Sequence, residues 1–289
     1  MKMTITVNCD ETLVRFAAEF AAKLNGCPDT ASMFCPSKYD DIVSDMRASG
    51  NLAVGRDDDR KICAVCWMFY DPERKNADVN LFADESTADK SLAGEIFAAA
   101  RKAGDFAPDT HFTFYFSKQN VALADFLEKS GAKANTDEYG LLLTKGKERN
   151  ICDSDRISPI KPTDFAGFER LHDSIFPELY ITDKGITDSI GKNREVFVMT
   201  EDGGISAYSV LERTSDPSLA VAEIIGVKEG MRHRGRGRAV LGHLIKTAFS
   251  DDRVNRLRLI VDCDNFNALK LYFDLGFEIE FENKCYTIE

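Results

Sequence analysis

The sequence has no long apolar run. Its longest apolar stretches, such as 16–24 and 96–100, are short or broken by charge, whereas a membrane-spanning helix needs about 20 apolar residues in succession. Asp10 and Glu11 stand where a secretory signal requires an uninterrupted apolar core. We therefore expect a soluble cytoplasmic protein that is not exported and has no membrane partner.

Cysteine is too sparse for a disulfide scaffold. Eight cysteines are spread over 289 residues, whereas small disulfide-rich domains are much denser in cysteine. Cys63 and Cys66 form a C-x-x-C pair, but they lie in the apolar stretch 62–70, which is typical of a strand. The sequence has no second pair and no nearby histidine that would complete a zinc site. We expect reduced thiols and no bound metal.

Basic residues are in the minority. Lys and Arg total 37 against 48 Asp and Glu, which gives a net charge of −11 and repels a polyanion at long range. Arginine is nevertheless concentrated between residues 232 and 258, and within 232–238 no aromatic residue lies between the arginines. A compact phosphate ligand fits this pattern better than nucleic acid, so no nucleic-acid partner is expected.

The length and composition predict two domains. A chain of 289 residues that is 44% hydrophobic can bury a core in each half. The composition shifts between Lys145 and Pro162, which places the boundary near residue 149 and gives domains 1–148 and 149–289. Helical spacing follows a capping Asp10, and consecutive strands are predicted at 196–199, 205–211 and 220–227.

The two halves are related by an internal repeat. The segment that starts at Asn120 and ends at Gly131-Ala132 matches the one that starts at Asn265 and ends at Gly276-Phe277, with an offset of 265 − 120 = 145. Each segment follows an apolar strand, at 111–116 and 256–261. The register stays ungapped over about 55 residues, so the chain is interpreted as two copies of one fold.

The second copy contains a basic glycine loop between a strand and a helix. Strand 220–227 leads into Arg232-His-Arg-Gly235-Arg-Gly237-Arg-Ala239 and then into an amphipathic run. Glycines let the backbone approach a ligand, and the first N–H groups of a helix attract anions. The loop is not a dinucleotide-binding G-x-G-x-x-G, because Val240 occupies the third glycine position, and no G-x-x-x-x-G-K occurs in the chain.

The loop and the helix after it resemble a known family. Arg232, Gly235 and Gly237 fit an R/Q-x-x-G-x-G/A pattern, and a shifted register through Arg234, Gly237 and Ala239 also fits. A strand at 257–261 and the motif Asn265-x-x-Ala268-x-x-Leu271-Tyr272-x-x-x-Gly276-Phe277 follow. Together these elements resemble the GNAT N-acetyltransferase family. The resemblance implies an α+β fold with two tandem GNAT-like domains, each a twisted mixed sheet flanked by helices.

The resemblance also implies a cosubstrate and a set of site residues. The cosubstrate is acetyl-CoA, and no metal is required. Tyr272 matches the general acid of the family, and the backbone near Gly226 and Val227 matches the site that binds the acetyl carbonyl. The residues implied to contact CoA are Gly226, Val227, Arg232, His233, Arg234, Gly235, Arg236, Gly237, Arg238, Ala239, Asn265 and Ala268.

Glu223 is the candidate base. An alkyl amine with a pKa near 10.4 is about 99.9% protonated at neutral pH, so it must lose a proton before it attacks a thioester. Glu223 is the one ionisable residue in 220–227, and strand alternation predicts that its side chain lies on the same face as Val227. A solvent-facing strand carboxylate remains the alternative for Glu223, and a core tyrosine remains the alternative for Tyr272. His172 and His243 are interpreted as structural residues, with a place in the substrate pocket open for His172.

The first copy lacks the motif. The offset of 145 puts Thr87, Lys90 and Leu92 at the positions of Arg232, Gly235 and Gly237, and Leu127 at that of Tyr272. Side chains at both glycine positions keep the backbone away from a phosphate. Residues 1–148 are therefore interpreted as a degenerate copy.

These observations lead to a hypothesis of function. The chain is predicted to be an acetyl-CoA-dependent N-acetyltransferase that acts on a primary amine of a small molecule or peptide. Transfer of a longer acyl group is an alternative, because the loop reads the CoA moiety and not the acyl group. A non-catalytic CoA-binding regulatory module is a further alternative. The sequence indicates no oligomeric state.

Overall fold

The protein divides into two compact units. The structure, a computed structural model, describes residues 3–7, 9–27, 29–84, 92–152, 154–177, 179, 181–201 and 203–289. The first unit comprises Met1–Glu138 and Phe281–Glu289, and the second comprises Tyr139–Glu280. The division falls ten residues before the predicted boundary at 148/149, and the last nine residues group with the first unit.

The first unit consists of a mixed sheet with helices on both faces. Its sheet has the order β1-β2-β3-β4-β5, followed by the end of the last strand of the chain, β13. Neighbouring strands are antiparallel except β4 and β5. The elements are β1 (Thr4–Val7), α1 (Glu11–Asn25), α2 (Tyr39–Ser49), β2 (Ala53–Arg56), β3 (Ile62–Asp71), β4 (Asn76–Ala83), α3 (Leu92–Ala103), β5 (His111–Ser117), α4 (Val121–Lys129), β6 (Lys133–Ala134) and β13 (Glu278–Ile288).

The second unit has the same architecture. Its sheet has the order β7-β12-β11-β10-β9-β8, in which β11 and β12 are parallel. One core lies between the sheet and α7 with α8, and another lies between the sheet and α5 with α6. The elements are β7 (Glu138–Thr144), β8 (Ile157–Pro159), α5 (Phe165–Ile175), α6 (Asp183–Ser189), β9 (Arg194–Glu201), β10 (Gly204–Arg213), β11 (Leu219–Val227), α7 (Arg236–Ser250), β12 (Arg256–Asp262) and α8 (Phe266–Asp274).

The predicted repeat is present in the fold. Adding 145 to the bounds of β5 and α4 gives 256–262 and 266–274, which are the bounds of β12 and α8. The predicted fold class, two tandem domains with mixed sheets and flanking helices, is confirmed. The predicted strands at 196–199, 205–211 and 220–227 correspond to β9, β10 and β11.

The last strands of the two repeats are exchanged. β7 closes the first repeat in chain order, yet its residues from 139 onward belong to the second unit, where β7 neighbours β12. β13 closes the second repeat, yet Asn283–Ile288 pair with β5 in the first unit. Each unit therefore contains the final strand of the other repeat.

Polar side chains cap several of the helices. Asp10 accepts a hydrogen bond from the Leu13 N–H at 2.8 Å and begins α1, as predicted. Asn120 caps α4 and Asn265 caps α8 in the same way, which satisfies N–H groups that have no partner inside a helix. Within the part of the chain that the structure describes, every helix is too short or too polar to cross a membrane.

Candidate functional site

The glycine loop leads directly into α7. Gly235 is the residue before the helix, and its φ of +81° lies in the left-handed region, where a side chain is strained. The helix begins at Arg236, so the N–H groups of its first turn point out of the helix end. The aligned peptide dipoles add a partial positive charge at the same place. The predicted anion site is thus a helix N-terminus approached through a left-handed glycine.

The four arginines of the loop do not have the same role. The Arg236 guanidinium pairs with Glu201 and donates to the Met231 carbonyl at 3.2 Å, and Arg238 pairs with Asp274 at 2.9 Å. These two side chains hold the loop in shape, although sequence analysis assigned them to the cosubstrate. The side chains of Arg232, His233 and Arg234 are exposed, and Arg232 Nε also donates to the Val227 carbonyl at 3.3 Å. Arg232 and Arg234 are therefore the two arginines of the loop whose side chains are exposed to solvent.

β11 and β12 separate beside the loop. The two strands pair at Leu219, Ala220 and Val221, opposite Arg256, Leu257 and Arg258, and not beyond. From residue 222 to 227 the edge of β11 that faces β12 has no partner strand among the described residues, while its other edge remains paired to β10. The backbone groups along this open edge can bind an extended, amide-bearing ligand.

Tyr272 lies in the second turn of α8 and is mostly buried, with 8% of its surface exposed. Its ring packs in the core with Phe277, at a centroid distance of 6.0 Å. Among the described residues its hydroxyl has no hydrogen-bond partner. Burial raises the pKa of Tyr272 to about 12, so the phenol keeps its proton at neutral pH and can donate it as a hydrogen bond.

Helix α7, the end of β11 and α8 meet at one place. A Cβ built on Gly237 would lie 3.5 Å from Val227 Cγ2 and 3.6 Å from Leu271 Cδ2. Leu271 is the residue before Tyr272. The Arg238–Asp274 ion pair joins the same two helices. The structure therefore brings the glycine loop and the end of the open edge next to α8, the helix that carries Tyr272.

A β-bulge changes the predicted position of Glu223. Val210 pairs with Ile224 and Leu211 pairs with Ala222, so Glu223 is an extra residue in β11. Val227 packs against the core between the sheet and α7. Ile224 packs in the core on the other face of the sheet, and Glu223 pairs with Arg194 on that other face. The prediction that Glu223 and Val227 share a face is wrong, because the bulge breaks the alternation between them.

Glu223 is also held more tightly than its sequence context suggested. Arg194 Nε donates to Glu223 Oε2 at 2.6 Å, and Arg194 Nη2 donates to Oε1 at 2.7 Å. The Glu223 side chain is 3% exposed. Arg194 was not among the predicted site residues, because a single arginine at the start of a strand carries no signal of its partner.

Gly226 has a packing role. A Cβ at this position would lie 2.3 Å from the Tyr208 ring on the neighbouring strand. The Tyr208 hydroxyl is 2.7 Å from His172 Nδ1, and His172 Nε2 is 3.2 Å from the Ile181 carbonyl. His172 is thus a buried structural residue of α5, as interpreted. His243 packs against Phe197, with ring centroids 5.0 Å apart.

Asn265 and Ala268 form a helix cap. The Asn265 side chain accepts a hydrogen bond from the Ala268 N–H at 3.2 Å. The first repeat has the same cap between Asn120 and the Leu123 N–H, at 3.1 Å. Because the cap occurs in the copy without the glycine loop, the asparagine of the motif has a structural reason that is independent of the cosubstrate.

The first unit has an equivalent gap, but its own chain fills it. β4 and β5 pair at Asn76–Asp78 and His111–Thr113 and then separate. Residues 31–33 bind β5 through two backbone hydrogen bonds of 3.0 Å, from Met33 N to the Tyr115 carbonyl and from Ser117 N to the Ala31 carbonyl. These bonds lie on the edge of β5 that faces β4, because β13 occupies the other edge. Ser32 Oγ completes the bridge by donating to Asn80 Oδ1 of β4 at 2.9 Å.

The first unit also lacks the hydroxyl of the second. Leu127, at the position of Tyr272, is fully buried in the core. Leu92, at the position of Gly237, is the first residue of α3 and is buried. Thr87 and Lys90 lie outside the described residues.

The sequence of the second unit matches a family model. Residues 165–277 match the model of the Acetyltransferase (GNAT) family. The second unit carries a GNAT acetyltransferase domain. The match contains the glycine loop, the open edge of β11 and Tyr272. GNAT membership supports acyl transfer from CoA as the general chemistry of this domain. No curated protein matches the sequence.

Solved GNAT structures share the fold of the whole chain. A GCN5-related N-acetyltransferase from Sphaerobacter thermophilus superposes with a TM-score of 0.77 at 13% identity, over 99% of this chain and 95% of that one. A tandem GNAT protein from the clavulanic acid biosynthesis pathway gives a TM-score of 0.69 at 16% identity, over 100% and 98% of the two chains. At these identities the likeness concerns the fold alone, and it extends the GNAT architecture to the first unit.

Proposed function

We propose that the protein is an acetyl-CoA-dependent N-acetyltransferase with one active site, located in the GNAT domain. The observation that carries the proposal is the open edge of β11, which ends beside a basic helix N-terminus, and that helix end is close to Leu271, the neighbour of Tyr272 on α8. An acyl-CoA presents a pyrophosphate, an amide-bearing arm and a thioester in that order. We assign these three parts to the helix end, the open edge and the Tyr272 hydroxyl.

The chain's residues divide the binding of the cosubstrate. The N–H groups of the first turn of α7, with Arg232 and Arg234, bind the pyrophosphate. The amide-bearing arm adds to the open edge of β11 as an extra strand would. N–H groups on the open edge, which runs from residue 222 to Gly226 and Val227, stabilise the oxyanion that forms on the thioester carbonyl.

Tyr272 assists departure of the thiolate. Complete proton transfer from a phenol with a pKa of about 12 to a thiolate whose conjugate acid has an ordinary pKa of about 8.5 is uphill by roughly 5 kcal/mol. A hydrogen bond from the Tyr272 hydroxyl to the developing thiolate is therefore its main contribution. The acceptor amine loses its proton on the opposite face of the sheet from α7, where Glu223 belongs to a cluster of carboxylates.

An assay of free thiol release tests the function. Full-length protein is incubated with acetyl-CoA and with n-butylamine, 1,4-diaminobutane or a tripeptide, and the rate is compared with octanoyl-CoA and with a reaction that lacks amine. We expect amine-dependent release that is faster with acetyl-CoA. Release that does not depend on any amine, or that is faster with octanoyl-CoA, contradicts the acceptor or the acyl assignment, respectively.

A further inference from the structure

Three charged side chains form a cluster on neighbouring strands of the second unit. Arg194 of β9 binds both oxygens of Glu223 on β11, and its Nη2 lies 3.6 Å from Glu212 Oε1 on β10. Asn193 Nδ2 donates to the same oxygen of Glu212 at 3.2 Å. One guanidinium thus faces two carboxylates, which gives the cluster a net negative charge.

The cluster lies where the sheet opens. Glu212 pairs across the strands with Val221, which is the last residue of β11 that pairs with β12. Glu223 is the bulged residue two positions further along β11. Both carboxylates are on the face opposite α7, because Tyr208 and Val210, which alternate with Glu212 on β10, pack in the core of that face. A group that approaches the start of the open edge from this face meets the cluster.

The two carboxylates differ in accessibility. The Glu223 side chain is 3% exposed, and both of its oxygens accept hydrogen bonds from Arg194. The Glu212 side chain is 28% exposed. Within the described residues, its Oε1 has the contacts with Asn193 and Arg194, and no hydrogen bond involves its Oε2. Glu212 is therefore the carboxylate of the cluster that a ligand can reach.

We propose that Glu212 binds the ammonium group of the acceptor and takes its proton, and that Arg194 and Glu223 are positioning residues. The proposal rests on the proposed function and names the base of that reaction. The Glu212 carboxylate accepts one proton from the ammonium, and the free amine attacks the thioester carbon. The C–N bond forms, the C–S bond breaks and the nitrogen loses its second proton. The CoA thiolate gains one proton, and Glu212 returns the other to solvent.

The surroundings of Glu212 strengthen its carboxylate as a base. Burial, and then the charge of Glu223, raise the pKa of Glu212, while Arg194 and Asn193 act in the opposite direction. The charged groups that face it are Arg194 from β9 and Glu223 from β11. Further along the same face, Tyr208 is hydrogen-bonded to His172 of α5. A carboxylate with a raised pKa is a stronger base than an ordinary glutamate and still ionises as the pH approaches neutrality.

The first experiment compares matched variants by activity. Glu212→Gln is compared with Glu195→Gln. Glu195 on β9 is also paired to an arginine, Arg213, at 2.9 Å. It is next to Arg194 in the strand, so its side chain lies on the opposite face of the sheet from the cluster. With acetyl-CoA and the amines named above, we expect Glu212→Gln to lower kcat/KM at neutral pH by about 10²- to 10⁴-fold. The acidic limb of its pH profile is lost, and Glu212→Asp recovers part of the rate. Glu195→Gln keeps the wild-type profile. A Glu212→Gln profile of unchanged height and shape overturns the proposal.

The second experiment does not depend on turnover. Carboxyl ¹³C signals of the full-length protein are titrated with pH, and Glu212 and Glu195 are assigned from the two variants. We expect Glu212 to titrate above the ordinary glutamate value of about 4.3, and 1,4-diaminobutane to lower its midpoint and leave that of Glu195 unchanged. Titration at or below the ordinary value, or no response to the diamine, overturns the assignment of Glu212. If wild type transfers acetyl to no amine while the diamine response is present, the proposed function fails and ammonium binding at Glu212 stands.

Discussion

The number of CoA molecules per chain tests the site and the repeat together. One site is expected, because the gap in the first unit is filled by residues 31–33 and the gap in the second is open. The perturbation is Gly237→Glu, which places a carboxylate in the first turn of α7, the proposed binding site of the pyrophosphate. Full-length wild type is expected to bind one equivalent of CoA.

The magnitude follows from the surroundings of Gly237. A Cβ there makes ordinary contacts, 3.5 Å to Val227 and 3.6 Å to Leu271, so the fold admits a side chain. A negative charge in the first turn stabilises a helix by about 0.3–1 kcal/mol, and the variant should unfold no more easily than wild type. Against a phosphate at about 4 Å, the same charge costs about 4 kcal/mol at an effective dielectric constant near 20. The dissociation constant should therefore rise about 10³-fold.

Titration calorimetry with CoA measures both quantities. The matched control is Gly167→Glu, which adds the same charge to the first turn of α5, where a Cβ would lie 3.7 Å from Ile205. The control should keep one equivalent and the wild-type affinity. Two equivalents in wild type would refute the interpretation of the filled gap. Undiminished binding by Gly237→Glu would refute the assignment of the pyrophosphate to α7.

Three further predictions concern catalysis and stability. Tyr272→Phe should lower kcat by about 10² or more while the CoA affinity from calorimetry stays the same, because the hydroxyl acts in the transition state; an unchanged kcat at saturation contradicts this role. Glu223→Gln should lower the free energy of unfolding in urea by about 3 kcal/mol, because Arg194, which is 15% exposed, loses its bidentate partner. A loss below about 1 kcal/mol would mean that this ion pair does not stabilise the fold as a buried pair does. Truncation to 150–289 removes β7, whose Leu141 and Leu143 are fully buried. Because burial of these two side chains stabilises the fold by roughly 3–6 kcal/mol, calorimetry of the truncated protein should find no cooperative unfolding. A cooperative transition together with CoA binding would show that β7 is dispensable.

Local patterns in the sequence were sufficient for the elements and for the parts of the site that lie on one segment. The helix spacing after Asp10 predicted α1, and the offset of 145 predicted the register of β12 and α8. The glycine loop predicted a helix after it, and that helix begins at Arg236. Each of these features depends on residues close together in the chain or on comparison of the two repeats.

Features that depend on contacts between distant segments were not predictable in this way. The bulge at Glu223 is visible only against β10, and it reverses the expected face of that side chain. The ion pairs of Arg236 with Glu201 and of Arg238 with Asp274, which support the loop, join residues that are 35 and 36 positions apart. The filling of the first gap by 31–33 requires a hydrogen-bonded partner more than eighty residues away, at Tyr115.

The exchange of strands has a consequence for synthesis of the chain. β5 is made early, but its partner in β13 includes Ile288, which follows Phe112 by 288 − 112 = 176 residues. At about 5–20 residues per second, the ribosome needs roughly 10 to 35 s to deliver that partner. Until then the edge of β5 that β13 will cover is an unpaired strand edge, a surface on which other chains can aggregate. The first unit therefore completes its sheet only after translation has reached the end of the second.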